Sequence, residues 1–258
     1  MGRGGTIAWG SAQVGIFSDS SGVTDLFRAA DGGKVEEVRH LLGIPEVDVN
    51  QANGNEETPL LQASCKGHTE VVSLLLGAPG IDVNRANKNG QTPLWWVPWN
   101  GHTEVAKLLL GASGIDVNLA DKVGQTPLLI ASMFGRTEVA KVLLAAPGID
   151  VNLADKSGKT PLHVASGNGH KEVVKLLLGA PGIDVNRTTD KGETPLHWAS
   201  EEGREEEVGL LLGAPGIEVN RAGTEGHTPL DVAQTEEVRA LLLAAGAVSG
   251  GCCGCSVQ

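Results

Sequence analysis

The chain has 258 residues, of which 41% are hydrophobic, and it carries a net charge of −11 at pH 7. An excess of acidic side chains repels a phosphate backbone, so the composition argues against nucleic acid as a partner. Tyrosine is absent and aromatic residues make up only 3% of the chain, so a core has to be built from aliphatic side chains.

Signals for membrane insertion or secretion are missing from the sequence. No run of apolar residues is long enough to span a bilayer, and the N-terminus lacks the basic and apolar regions of a secretory signal. Cys65 stands alone, while Cys252, Cys253 and Cys255 crowd the C-terminal end, which is not a disulfide framework. We therefore expect a cytoplasmic protein with reduced thiols.

In chain order, the first segment, residues 1–21, is rich in glycine and serine and has no steady period. This composition predicts a disordered leader. From Thr24 the pattern becomes helical, and residues 24–30 and 34–42 predict a pair of short helices. We interpret residues 22–50 as an N-terminal cap, because a terminal unit of an array must turn one face to water.

The tripeptide Thr-Pro-Leu then recurs every 34 residues, beginning at Thr58, Thr92, Thr126, Thr160, Thr194 and Thr228. A fixed period of this length indicates a repeat array whose units bury their apolar faces on each other. We place the repeats, the shortened C-terminal cap and a flexible Cys-rich tail, in that order, at residues 51–84, 85–118, 119–152, 153–186, 187–220, 221–247 and 248–258.

The repeat at residues 153–186 shows how one unit is built. Thr160 stands where an N-cap belongs and Pro161 follows at the first helical position, where its missing N–H is tolerated. A second helix follows, whose buried face has the spacing of Val173, Val174, Leu176, Leu177 and Leu178. Helices this short are unstable alone, so packing between repeats must supply the stability.

These residues resemble the ankyrin repeat, in the succession Asp-x-x-Gly-x-Thr-Pro-Leu-His, Gly-His, Glu-Val-Val, Leu-Leu-Leu and Asp-Val-Asn. The resemblance covers about residues 24–247. It implies an all-α fold, an ankyrin-repeat solenoid of stacked helix-turn-helix units with projecting β-hairpin loops. It also implies that the chain recognises a protein partner through its hairpin tips and concave groove.

One repeat departs from its sisters by carrying the sequence Trp-Trp-Val-Pro-Trp at residues 95–99. In the family pattern, the two residues before Gly-His face the groove. Because aromatic anchors dominate binding energy, we predict a partner-binding site at Trp95, Trp96, Trp99, Asn100, Met133 and Phe134. Pro98 removes a helical N–H, so we expect a short or kinked helix that exposes Trp95 or Trp96. The alternative is that these two tryptophans belong to the core.

Lysines recur at one turn position of three successive repeats, Lys88, Lys122 and Lys156. They predict a row of positive loop tips that meets an acidic partner. The alternative interpretation is that they are ordinary solvated turn residues, each of which contributes little alone.

Two rows of histidines follow the same period, His68, His102 and His170 in one and His163 and His197 in the other. Each row places its members on different units, unlike a zinc motif, and the ankyrin pattern uses both positions for hydrogen bonds between loops. We predict no metal, no cofactor and no catalytic residue.

The two ends of the chain carry weak lipidation patterns. The last four residues have the Cys-a-a-X form at Cys255, with Cys252 and Cys253 as possible palmitoylation sites, and Gly2 fits a myristoylation form. They define the alternative function, a lipid-anchored peripheral membrane adaptor. The leading prediction is a monomeric, non-catalytic scaffold for a protein partner, which touches a membrane only if these cysteines are lipidated.

Overall fold

The computed structural model describes residues 25–250, and within this range the chain forms thirteen α-helices and no strand. The first helices of successive units make one layer: α1 (Asp25–Asp31), α3 (Pro59–Lys66), α5 (Pro93–Asn100), α7 (Pro127–Met133), α9 (Pro161–Asn168) and α11 (Pro195–Glu201). The second helices make the other layer: α2 (Val35–Leu42), α4 (Thr69–Leu76), α6 (Thr103–Leu110), α8 (Thr137–Leu144), α10 (Lys171–Leu178), α12 (Glu205–Leu212) and α13 (Glu236–Ala244).

The contacts between helices follow the order of the units. Each first-layer helix contacts the second helix of its own unit and the first-layer helix of the next unit, from α1 to α11. The second layer is continuous in the same way from α2 to α12, and α13 extends it by packing against α12. The all-α solenoid that the repeat predicts is confirmed.

The Thr-Pro signal starts the first-layer helices as expected. Thr92 has an extended backbone, and its hydroxyl accepts a hydrogen bond from the Trp95 amide at 3.2 Å, with Pro93 at the first helical position. The same cap begins α3, α7, α9 and α11. Each cap satisfies an amide that the helix itself leaves without a partner.

The core is aliphatic, in agreement with the composition. A row of fully buried leucines runs through the first layer: Leu60, Leu94, Leu128, Leu162 and Leu196. The second layer faces it with a row of small and branched side chains: Val72, Ala106, Ala140, Val174 and Val208. Because each unit covers its neighbour's apolar face, burial supplies the stability that such short helices lack on their own.

The loops between units take the form of tight turns instead of strand pairs. In one of them the Asp121 amide donates to the Gln125 carbonyl at 3.0 Å, and the Asp121 carboxylate accepts from the amides of Val123 and Gln125. Successive tips are joined by backbone bonds, such as Lys122 N–H to the Asn89 carbonyl at 2.9 Å. The tips therefore form a continuous edge along the stack.

A ladder of asparagines joins the same connecting segments at a point between the loop tips and the second-layer helices. The Asn118 amide group donates to the Gly148 carbonyl at 2.7 Å, and its oxygen accepts from the Asp150 amide at 3.0 Å. The same pair of bonds is made by Asn50, Asn84, Asn152 and Asn186. Each carboxamide thus links its own unit to the next one.

The C-terminal unit differs from the others because its Thr-Pro-Leu does not begin a helix. Residues 229–232 form turns, and the only helix of this unit is α13, which begins after the N-cap Thr235. Asp231 stands where other repeats have His, Leu or Trp, and its carboxylate accepts from the amides of Thr228 at 2.8 Å and Gly250 at 2.7 Å. These bonds lower the pKa of the Asp231 carboxyl although partial burial opposes them.

Candidate protein-binding surface

Two aromatic side chains from adjacent repeats meet on the exposed ends of α5 and α7. Trp99 is 42% exposed and Phe134 is 37% exposed, and their rings make an edge-to-face contact with centroids 4.7 Å apart. Met133, which precedes Phe134, is partly exposed. We call Trp99, Met133 and Phe134 the aromatic patch. The structure therefore brings together the three residues that the repeat alignment places side by side.

Trp95 does not belong to this exposed surface. It is 2% exposed, and its indole N–H donates to the Gln125 carbonyl of the next repeat at 3.0 Å. Its ring stacks against Trp99 with centroids 5.7 Å apart. The expected exposure of Trp95 is wrong, and the alternative of a core position is correct, because the indole nitrogen has a loop carbonyl within reach. The buried Trp95 ring therefore packs against the inner face of the Trp99 ring.

Trp96 takes an intermediate position. Its side chain is partly exposed, and its ring lies edge-on to Trp99 with centroids 6.1 Å apart. The indole nitrogen is buried and has no hydrogen-bond partner within residues 25–250. Trp96 therefore borders the aromatic patch without being fully presented.

Pro98 does not shorten its helix. α5 has eight residues, as do α3 and α9, and it ends at Gly101 in the left-handed conformation with φ 81°. Pro98 is buried and lies in the last turn of the helix. Because proline has no N–H, the Leu94 carbonyl lacks its helical hydrogen bond. Packing on both sides keeps the helix, so the expected shortening is wrong.

Polar side chains fix the ends of these helices to the repeat before them. The Asn100 side-chain amide donates to the Cys65 carbonyl at 2.9 Å, and His102 bonds the same oxygen at 3.1 Å. Asn100, although exposed, is therefore held by a structural bond. At Gly67, with φ 77°, a Cβ would lie 2.6 Å from the His102 ring, which explains why glycine is required there.

Both histidine rows make such bonds, as the sequence predicts. His68 and His170 bond carbonyls of the preceding units at 2.9 and 3.0 Å, and Arg136 fills the same role toward the Trp99 carbonyl at 3.1 Å. In the other row, His163 accepts from the Thr160 amide and reaches the Glu193 carbonyl at 3.0 Å. Burial lowers the pKa of His163 to about 4, so this ring is neutral at pH 7.

The three turn lysines occupy equivalent places on the loop edge. Lys88, Lys122 and Lys156 are all exposed, and the backbone amide of each donates to the preceding tip. Their ammonium groups make no ion pair within the described part of the chain. The row of positive tips is present as a geometric feature, and its partner remains a prediction.

Comparison with known families identifies the repeat. A model for ankyrin repeats in three copies matches residues 26–121 and 100–189, and a model for a single ankyrin repeat matches residues 191–223. The chain belongs to the ankyrin-repeat family. Domains of this family bind protein partners.

Solved ankyrin-repeat domains have the same architecture as this ankyrin-repeat protein. The ankyrin repeat domain of human ASB11 is 29% identical with a TM-score of 0.72, over 85% of this chain and 96% of that one. The ankyrin repeat domain of Bcl-3, described as a unique member of the IkappaB protein family, is 28% identical with a TM-score of 0.78. That match covers 86% of this chain and 99% of the other. A comparison with curated proteins gives no match.

Several predicted features lie outside residues 25–250. These are the leader and the lipidation sites Gly2, Cys252, Cys253 and Cys255, so lipid attachment remains a prediction of the sequence. Within the described range, no helix is long and apolar enough to cross a membrane, and no cluster of three potential metal ligands occurs.

Sequence reasoning missed one aromatic site of the loop edge. Trp198 of α11 is partly exposed, and it borders a cavity of about 350 Å³ together with Lys159, Thr189, Asp190, Lys191 and Glu193. Trp198 stands three residues before Glu201, the first groove residue of its repeat, at the place equivalent to Trp96. That shared position was the available signal for it.

Proposed function

We propose that this ankyrin-repeat protein is a non-catalytic scaffold that holds a protein partner against the aromatic patch. The observation that carries the proposal is the contact between Trp99 and Phe134, two large apolar side chains that are both exposed. Contiguous exposed apolar side chains mark interaction sites, unlike single exposed ones, and tryptophan is enriched among the residues that contribute most binding energy at protein interfaces. We place this function in a cytoplasmic monomer, in a domain of residues 22–247.

The patch is well suited to binding because its parts are already ordered. Trp99 is stacked on the buried Trp95, and its carbonyl is held by Arg136. Immobilising a side chain on binding costs about 0.5–1.5 kcal/mol, and a side chain that is fixed beforehand avoids much of that cost. Rigid presentation is therefore the proposed mechanism.

The hypothesis is tested by locating the partner on the surface. A photo-reactive amino acid at position 99 should crosslink a partner that the same group at position 138, exposed on α8, does not reach. Once the partner is purified, the double variant Trp99→Ala, Phe134→Asn should weaken its binding at least about a hundredfold, as expected for two anchor residues.

The second substitution is chosen to preserve the fold. Asn100 and Asn168 occupy the position of Phe134 in sister repeats, and each donates to a carbonyl of the preceding unit at 2.9 and 3.0 Å. Asparagine at position 134 should therefore make a native-like bond. A double variant with an unchanged circular dichroism spectrum and unchanged affinity would refute the proposed site.

A further inference from the structure

The lysines of the two faces differ in their electrostatic surroundings. On the second-helix layer, Lys107 pairs with Glu104 at 2.6 Å, Lys175 with Glu172 at 2.7 Å and Lys171 with a neighbouring glutamate at 2.7 Å. Five lysines of the loop edge make no ion pair within residues 25–250: Lys88, Lys122, Lys156, Lys159 and Lys191. Lys141 of α8 is the one second-layer lysine in this range without an ion pair, so in a chain with a net charge of −11 the unpaired lysines are concentrated along the loop edge.

The first-layer surface below this edge is free of carboxylates in its central part. The positions equivalent to Trp96, Trp99 and Asn100 in three successive repeats carry no carboxylate. They hold Trp96, Trp99, Asn100, Ile130, Met133, Phe134, Val164, Gly167 and Asn168, of which Ile130, Val164 and Gly167 are buried. Carboxylates reappear at Glu201 and Glu202, in the next repeat. The loop acids Asp121 and Asp155 accept backbone amides of their own turns.

The Trp198 cavity extends the positive edge. The Lys159 ammonium lies 4.9 Å from the centre of the Trp198 ring, and Lys191 borders the same space. The Glu193 carboxylate accepts from the Trp198 indole at 3.1 Å and from the Thr189 hydroxyl at 3.4 Å, so both of these neutral donors hold it against the wall of the site. Asp190 is the remaining carboxylate of the lining.

We propose that the partner presents an acidic segment, whose apolar anchor rests on the aromatic patch and whose carboxylates face the loop lysines. One carboxylate side chain enters the Trp198 cavity between Lys159 and Lys191. This inference rests on the proposed function and adds the chemistry of the partner. Complementary charge along an interface speeds association and excludes wrong partners, and this edge would reject a basic segment.

Synthetic peptides bound to the full chain test this charge preference. The probes are a fluorescein-labelled peptide with a leucine anchor flanked by glutamates, and isomers in which glutamine or lysine replaces every glutamate. We expect the glutamate peptide to bind most tightly and to weaken as salt is raised, because exposed charge pairs are screened. The triple variant Lys88→Gln, Lys122→Gln, Lys156→Gln should raise its Kd about tenfold, since each exposed pair contributes modestly.

The matched control removes the same charge from the other layer, as Lys107→Gln, Lys141→Gln, Lys175→Gln, and should leave the Kd nearly unchanged. The single variant Lys159→Gln should also weaken binding of the glutamate peptide. Binding of the glutamine peptide should not change. Equal binding of the three peptides, no binding of any, or an equal effect of the two triple variants would overturn the inference. So would tighter binding of a single-stranded oligonucleotide than of the glutamate peptide.

These outcomes are separable from the fate of the proposed function. If crosslinking at position 99 finds a partner whose bound segment is neutral or basic, the scaffold function stands and the acidic class is wrong. If the glutamate peptide binds with the expected salt dependence but Trp99→Ala, Phe134→Asn has no effect, the lysine edge stands and the aromatic anchor is wrong.

Discussion

Helices α5 and α9 have the same backbone pattern but present different side chains. Each has eight residues, begins at a Thr-Pro cap and ends at a left-handed glycine. At equivalent positions, Trp99 of α5 projects into solvent, whereas Gly167 of α9 is buried beneath the Trp198 ring. The comparison teaches that the repeat fixes the scaffold, and that binding surface is added by exchanging single side chains upon it.

The same comparison shows two residues performing one structural task. Trp95 and His163 are equivalent, and both use a ring N–H group or nitrogen to reach the carbonyl of the next loop at 3.0 Å. Trp95 thus replaces the bridging histidine and also supplies the ring on which Trp99 stacks. In α5 one residue, Trp95, both bridges to the next loop and supports the proposed binding residue Trp99. In α9 the equivalent His163 makes the bridge alone.

The largest expected effect on stability comes from removing the Trp95 ring, which has both of these roles. Trp95→Ala should lower the free energy of unfolding by about 4 kcal/mol, because it removes a fully buried ring and a hydrogen bond between repeats. Trp99→Ala should cost less, about 2 kcal/mol, since 42% of that residue is already in contact with water in the folded state. Urea titrations followed by far-UV circular dichroism measure both, and equal losses would contradict the assignment of one ring to the core.

The next effect is a pH dependence that belongs to α9. Burial lowers the pKa of His163 from 6.5 to about 4, so between these values the unfolded chain binds a proton that the folded chain excludes. Stability should therefore fall as the pH falls from 6.5 to 4, by about 3 kcal/mol in total from this residue.

The variant His163→Leu sharpens this test, because Leu61 and Leu129 hold the position in sister repeats. It should be less stable than wild type at pH 7, where the two histidine hydrogen bonds are lost. Its stability should decline less steeply below pH 6.5. Parallel curves of unfolding free energy against pH for the two proteins would show that His163 does not titrate as described.

A smaller effect is expected at the prolyl residue of α5. Pro98→Ala should raise the free energy of unfolding by about 1–2 kcal/mol, because it restores the amide that the Leu94 carbonyl lacks and relieves the ring's crowding of that turn. Partner binding should be retained. A loss of stability would mean that packing of the pyrrolidine ring stabilises the protein more than the restored hydrogen bond does.

The smallest effect concerns the residue of α9 that is equivalent to Pro98. The buried Ser166 hydroxyl has no hydrogen-bond partner within residues 25–250, so Ser166→Ala should stabilise the protein by about 0.5–1 kcal/mol. The exposed Ser157 of the same repeat is the control, and Ser157→Ala should change little. A destabilised Ser166→Ala would reveal an internal water bound to the hydroxyl.

Much of the fold was predictable because it depends on local, repeated chemistry. The Thr-Pro pair specifies a helix start wherever a helix can follow, as at Thr92 and Thr160. The same pair misleads at Thr228, where the shortened connection to α13 leaves only turns and where Asp231 takes up the free amides. The motif alone does not show that the segment after it is too short to form a helix before α13 begins.

The candidate site was predictable only in part. Repeat register placed Trp99 beside Phe134, because equivalent positions of adjacent units are neighbours. Register cannot tell which of the three neighbouring tryptophans finds a hydrogen-bond acceptor, and the Gln125 carbonyl that accepts from the Trp95 indole comes from another unit. The position of the Trp198 ring likewise depends on the absence of a side chain at Gly167, one repeat away, where a Cβ would lie 3.0 Å from the ring.

The asparagine ladder has a mechanical consequence. Asn118 ties its unit to the following one through bonds at both ends of its carboxamide, and to no unit beyond that. Tension applied along the stack is therefore carried by a series of similar hydrogen bonds, each between neighbouring units. We expect the protein to behave as a spring that extends slightly and then yields unit by unit, giving a sawtooth of nearly equal force peaks in single-molecule stretching.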